Sequence, residues 1–181
     1  MADVPFTHLL INGERRHAST GATFEVRDPH TGVLASIAAT ASSEDCRAAI
    51  DAAHRAFPTW EETPPNARRQ ILLRALATFE SEEWQKKAAA SLRAEVAMPE
   101  SQVIFNVRAA PNSLLKFACL VSELKGETLP SILPGGQVFI QRRALGVMCV
   151  LTGCSSYISI APTVLNGTVD TQWYHGMRRS R

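Results

Sequence analysis

The run Leu145-Gly146-Val147-Met148-Cys149-Val150-Leu151 constrains this chain more than any other stretch. It is short, apolar and bounded by polar residues, the pattern of a strand buried on both faces in a parallel sheet. Parallel strands reach one another through long crossover connections, usually helices. Residues 152–181 are rich in Ser, Thr and Gly and show no such alternation. The pattern predicts a chain that builds the approach to an active site and omits the site.

The 181 residues suffice for one domain with its own core, and a hydrophobic content of 45% fits a soluble globular protein. No apolar run approaches the roughly 20 residues that span a bilayer. The amino terminus, Met1 to Phe6, lacks a basic region followed by an apolar stretch. A cytoplasmic address with no membrane partner is the expectation. The net charge of +2 conceals a basic end, where Arg142, Arg143, Arg178, Arg179 and Arg181 outweigh Asp170. That end is too short and too poor in aromatics to indicate nucleic acid.

Cys46, Cys119, Cys149 and Cys154 form no CxxC pair and have no histidine close in sequence, so no metal site is assigned and reduced thiols are expected. Cys46 and Cys119 fall where helical periodicity wants an apolar residue, which predicts packing rather than reactivity. None of the five histidines stands in a nucleophile motif. No catalytic residue is assigned.

Taken in order, Leu9 to Arg15 surrounds Asn12-Gly13, the pair that supplies the two positive-φ positions of a type I′ hairpin. Phe24 to Val26 and Val33 to Ala38 read as strands around a turn at Asp28 to Gly32, giving a small antiparallel arm. Ser42 and Asp45 form a capping-box pattern ahead of Cys46, Ala49, Ile50, Ala53 and Phe57 at helical spacing, and Pro58 is expected to end that helix. Pro64-Pro65 presets a second helix with Ile71, Leu72, Ala75, Leu76 and Phe79 on one stripe and Arg68, Arg69 and Arg74 on a solvated face. A third helix is predicted over Glu82 to Val96, ending before Pro99. A long fourth follows through Val103, Val107, Leu114, Leu115, Ala118, Val121 and Leu124, kinked at Pro111 and capped by Gly126. Glu127 to Ile132 and Gln137 to Arg143 then form an extended pair around Pro134-Gly135-Gly136, outside the main core.

Several short motifs now fall into an order. They are Leu-Ile-Asn-Gly-Glu at 10–14, Phe-Glu-Val-Arg-Asp-Pro-His-Thr-Gly at 24–32, Ala-Phe-Pro-Thr-Trp at 56–60, Thr-Pro-Pro-Asn-Ala-Arg-Arg at 63–69, Gly-Glu-Thr-Leu-Pro at 126–130 and Leu-Gly-Val at 145–147. In this order they resemble the amino-terminal third of the aldehyde dehydrogenase superfamily. Ile-Phe-Asn-Val at 104–107 leans toward the salicylaldehyde or vanillin dehydrogenase branch.

The resemblance implies an α/β chain: an amino-terminal β arm and the helices of the family's cofactor domain, truncated after the first strand of the parallel sheet. Residues 1–151 are then a partial cofactor-domain region, within which 127–144 resemble the family's oligomerisation strands, and 152–181 form a divergent tail. It also implies NAD or NADP as cofactor and oxidation of an aldehyde to a carboxylic acid, through attack by a cysteine thiolate and water activated by a glutamate. Neither the cysteine nor the glutamate motif occurs here. In the family the Leu-Gly-Val strand leads into an Ile-Thr-Pro-Trp-Asn type of sequence whose amide helps hold the oxyanion. Leu151 and Thr152 match its start and are the candidate cofactor-binding residues. Gly153-Cys154-Ser155 then stand for Pro-Trp-Asn, and with an insertion Ile160-Ala161-Pro162 echo the motif before Thr163 and Val164 depart from it. The family's ribose-binding lysine and Gly-rich pyrophosphate turn are absent too. Three readings follow: a fragment inert by itself; a noncatalytic subunit that associates with itself or with full-length homologues through its extended segments; and a residual nucleotide binder through Leu151 and Thr152.

Overall fold

The computed structural model describes residues 4–150. Strands β1 (Phe6–Thr7), β2 (Leu9–Ile11), β3 (Glu14–Arg16), β4 (Thr23–Arg27) and β5 (Leu34–Ala39) come first. Four helices follow: α1 (Ser43–Glu61), α2 (Pro65–Glu80), α3 (Glu82–Val96) and α4 (Glu100–Leu120), the last running into a 3-10 turn at Val121–Glu123. Strands β6 (Glu127–Pro130) and β7 (Gln137–Ile140) close the described part. The architecture is mixed α/β, as expected. Among the described residues no helix is long and apolar enough to cross a membrane.

The β2–β3 hairpin turns on Asn12 (φ 53°) and Gly13 (φ 76°), the two left-handed positions that a type I′ turn requires. Strands β4 and β5 pair antiparallel, and the Asp28 carboxylate accepts the backbone N–H groups of His30 and Thr31 in the turn between them. The arm is not wholly antiparallel, however. Phe6 and Thr7 pair in parallel with Ile37 and Ala38, which makes β5 the central strand of a three-stranded sheet ordered β1-β5-β4.

Helix α1 starts with the capping box foreseen at Ser42 and Asp45: the Ser42 hydroxyl accepts the Asp45 N–H at 3.1 Å and the Asp45 carboxylate accepts the Ser42 N–H at 2.8 Å. It lays Ala49 and Ala52 on Ile11 and Leu9 of the hairpin. Pro58 does not end it. The helix runs a further turn to Glu61, because that turn finds bonds elsewhere: Glu62 donates to the Pro58 carbonyl at 3.3 Å, and the Thr63 hydroxyl to that of Thr59 at 3.1 Å. Arg68 is likewise not part of a solvated face. From α2 it reaches back to donate to the carbonyls of Glu61 (2.7 Å) and Thr63 (2.9 Å), satisfying the C-terminal end of α1 beside the Trp60 ring.

Helices α2, α3 and α4 pack together. Leu72 of α2 meets Leu114 and Ala118 of α4 and Val121 beyond it, flanked by Leu76 and Phe79. Leu92 of α3 meets Val103 and Val107 of α4. The foreseen stripes therefore hold for Leu72 and Leu114, while Ile71, Leu115 and Leu124 face out. Helix α3 occupies the predicted residues and ends on Ala97, left-handed at φ 47°, with the Met98 N–H bonded to the Leu92 carbonyl. Pro111 is buried within an α4 that continues past it.

Three further expectations change. Gly126 is not a left-handed cap; it lets two backbones approach, since a Cβ there would stand 2.5 Å from the Ile140 carbonyl oxygen. Cys119 is exposed rather than packed, while Cys46 is half-buried. Most consequentially, residues 145–150 form no strand. A strand exists only through hydrogen bonds to a neighbour, and among the described residues no strand lies beside this segment, so the apolar run stays irregular with Leu145, Val147 and Met148 exposed.

Candidate functional site

Leu151 and Thr152, the expected cofactor contacts, lie outside the described residues, as does Cys154. What the described residues bring together is a groove on the outer face of α4. Ser101, Ile104, Phe105, Arg108, Asn112 and Lys116 line an open depression of about 560 Å³. It exists because α4 is apolar on two sides. Val103, Val107, Ala110, Leu114 and Ala118 face the bundle, and Ile104, Phe105 and Leu115 face away. Large apolar side chains exposed on a second side of a helix are the kind of surface a larger structure covers.

The chemistry of this groove is that of a binding surface. Its titratable groups are the cations Arg108 and Lys116, neither of which forms an ion pair among the described residues. Hydroxyls, an amide and two large apolar side chains complete it, with no thiol, carboxylate or imidazole to act as nucleophile or base. Ile104, Arg108, Asn112 and Lys116 recur at every fourth position, a row legible in the sequence but eclipsed by the stronger apolar stripe beside it.

The described residues also lack a cradle for a dinucleotide. A pyrophosphate takes the free N–H groups of a helix start behind a Gly-rich turn. At α1 the Asp45 carboxylate and Ser42 hydroxyl already fill that place, α3 is capped by the Ser81 hydroxyl, and α2 and α4 begin behind Pro64 and Pro99. The carboxyl groups with clear perturbations are structural. Backbone N–H donation from Ser42, then Ser19, holds Asp45 below its usual range, and Arg93 does the same for Glu100 through a bidentate pair at 2.7 and 2.8 Å. Among the described residues no group of His, Cys, Asp and Glu of three or more could hold a metal.

Comparison with known proteins supplies what the groove does not. The model of the aldehyde dehydrogenase family matches residues 16–153, well over half of the chain. The chain belongs to the aldehyde dehydrogenase family. It is 39% identical to vanillin dehydrogenase of Pseudomonas fluorescens over 148 residues, covering 82% of this chain and 30% of that protein. The fold superposes on a salicylaldehyde dehydrogenase from Pseudomonas putida G7, solved with salicylaldehyde, at a TM-score of 0.81 and 27% identity, over 91% of this chain and 34% of that one. It matches NADP-dependent glyceraldehyde-3-phosphate dehydrogenase from Bacillus halodurans C-125, solved with NADP, at 0.80 and 25% identity, over 90% of this chain and 36% of the other. Both the family and the vanillin and salicylaldehyde branch agree with the motif reading. The chain thus spans about a third of the length of the aldehyde dehydrogenases it matches.

Proposed function

We propose that these 181 residues are the amino-terminal scaffold of an NAD(P)-dependent aldehyde dehydrogenase for aromatic aldehydes, and that by themselves they turn over none. The observation that carries this is the family match over residues 16–153 joined to an α4 groove whose lining holds no thiol, carboxylate or imidazole and helix starts that offer no dinucleotide cradle among the described residues. The aromatic preference rests on the similarity to vanillin dehydrogenase. The role left to the chain is to form the arm and helix layer against which the cofactor sheet of a whole enzyme is laid. The test is direct. Purified protein with NAD or NADP and vanillin or salicylaldehyde should give no reduced cofactor above a blank, and calorimetry should find NAD affinity weaker than about 1 mM. Turnover that persists after removal of contaminating enzyme, or a micromolar NAD constant, overturns the reading.

A second reading has an observation of its own. All eight residues of β6 and β7 are exposed, Leu129, Val138, Phe139 and Ile140 among them, and among the described residues no further strand pairs with either edge of the ribbon. Such a ribbon is suited to pairing with another chain. In this reading the protein is a noncatalytic subunit that joins full-length homologues through β6 and β7. Co-expression with a tagged vanillin dehydrogenase decides it, by whether the two co-purify in fixed proportion.

A further inference from the structure

Two histidines of the arm that take no part in the family chemistry stand side by side. His8 lies between β1 and β2 and His17 just after β3, so they flank the outermost registered pair of the hairpin, Leu9 opposite Arg16. Carried one step outward, the antiparallel ladder sets position 8 against position 17. Their ring centroids are 4.8 Å apart with the planes at 66°, and Phe6 packs against both, at 4.7 Å from His8 and 5.1 Å from His17. Leu9 and Ile11 point to α1, so alternation places His8 on the opposite, outer face. His8 is half-buried and His17 exposed. Neither side chain forms a hydrogen bond or ion pair among the described residues.

Two imidazoles that share one metal ion have a fixed spacing. With metal–nitrogen bonds of about 2.0–2.1 Å and an angle between square and tetrahedral, their ring centres fall roughly 4.5–5 Å apart. The observed separation lies inside that window. We propose that His8 and His17 form a two-imidazole site for a transition-metal dication on the outer face of the arm. Cu²⁺ is held most tightly, as the order of first-row affinities requires, and Ni²⁺ and Zn²⁺ follow. Rotation about χ2, a broad torsion for histidine, turns a nitrogen of each ring toward the shared ion, and water fills the remaining positions. The surrounding charges set the rank of the site. Arg15, across from Leu10 on the same face, is the nearest cation by register, and Arg16 on the other face is paired with Glu14 at 2.7 Å. Both are exposed, so salt screens their repulsion. Phe6 covers one side of the pair, and a bound ion therefore ties the segment carrying β1 to the end of β3.

The probe is Cu²⁺ itself, titrated into the full chain with its thiols alkylated so that cysteine does not compete. Calorimetry should find one Cu²⁺ per chain. His8→Gln, His8→Ala and His17→Ala should each weaken it by about tenfold or more, while His30→Ala, His54→Ala and His175→Ala leave it unchanged. Electron paramagnetic resonance of the unsubstituted protein should show coupling to two imidazole nitrogens, a readout that does not depend on whether any variant folds. An affinity in His8→Gln within about twofold of the parent, an equal loss in the His30, His54 or His175 variants, coupling to one nitrogen only, or no binding up to about 1 mM overturns the proposal.

Discussion

Ser19, which follows the first hairpin, donates its backbone N–H to both carboxylate oxygens of Asp45 at 3.1 Å, twenty-six residues further on. The same carboxylate caps α1 through the Ser42 N–H, and the Ser19 and Ser42 hydroxyls share a hydrogen bond of 2.8 Å. One side chain thus fastens the arm to the helix layer.

Its removal should be visible as a change in pH dependence. Backbone donation from Ser42, then Ser19, lowers the folded-state pKa of Asp45 below the ordinary 3.8. A depressed carboxyl contributes stability that is present in full above the unfolded value and is lost as the pH falls through the folded one. Asp45→Asn should therefore cost about 1–2 kcal/mol at pH 7, the range of a lost cap, and the gap to the parent should close as the pH falls below about 4. Denaturant unfolding at pH 7 and pH 3 checks both halves, and a gap that stays constant between them refutes the assignment.

Arg68 joins α2 to the end of α1 through two carbonyls that a planar fork reaches together. Arg68→Ala should destabilise by about 1.5–3 kcal/mol, the range for hydrogen bonds to a charged group. Arg68→Lys should recover less than half of that, because an ammonium cannot reproduce the fork. Thermal unfolding of the two variants against the parent is the measurement.

Ala97 closes α3 in the left-handed region at φ 47° and ψ 43° without the glycine that such a position favours. Relief of its Cβ strain should outweigh the added freedom of the unfolded chain. Ala97→Gly is expected to raise stability by about 0.5–1 kcal/mol. A loss of stability in urea titration would show that the strain is absent.

Phe105 is 65% exposed on the outer face of α4. If that face is the seat of the remainder of an aldehyde dehydrogenase, Phe105→Glu should leave the isolated chain within about 0.5 kcal/mol of the parent. It should nevertheless abolish any activity restored by co-expression with the carboxy-terminal part of vanillin dehydrogenase. Restored activity that tolerates the glutamate would remove this face from the interface.

What the sequence discloses and what it hides divide along a physical line. The Asn12-Gly13 turn and the Ser42 and Asp45 box are legible because each is written within a few neighbouring residues and satisfied there. Helix α3 is legible for the same reason, with a serine at one end and a proline shortly past the other. Strand β1 is not, since two residues gain their identity only from Ile37 and Ala38, far along the chain. Pro58 misleads because the helix past it is held by groups outside the helix, Arg68 among them. The run at 145–150 misleads in the opposite sense: the pattern of a strand is present, and among the described residues no partner strand lies beside it. Of the candidate site, the α4 row could be read from its fourfold spacing, whereas the groove depended on knowing which side of the helix α2 and α3 would take.

The parallel pairing of β1 with β5 gives the first few residues an importance out of proportion to their number. Among the described residues β5 has β4 along one side, and on the other only Phe6 and Thr7, with the Pro5 carbonyl accepting the Ile37 N–H at 2.9 Å. A protease that trimmed the chain back to His8 would do more than shorten a terminus. It would strip the shield from the middle strand of the sheet and turn an interior position into a docking edge for any extended peptide.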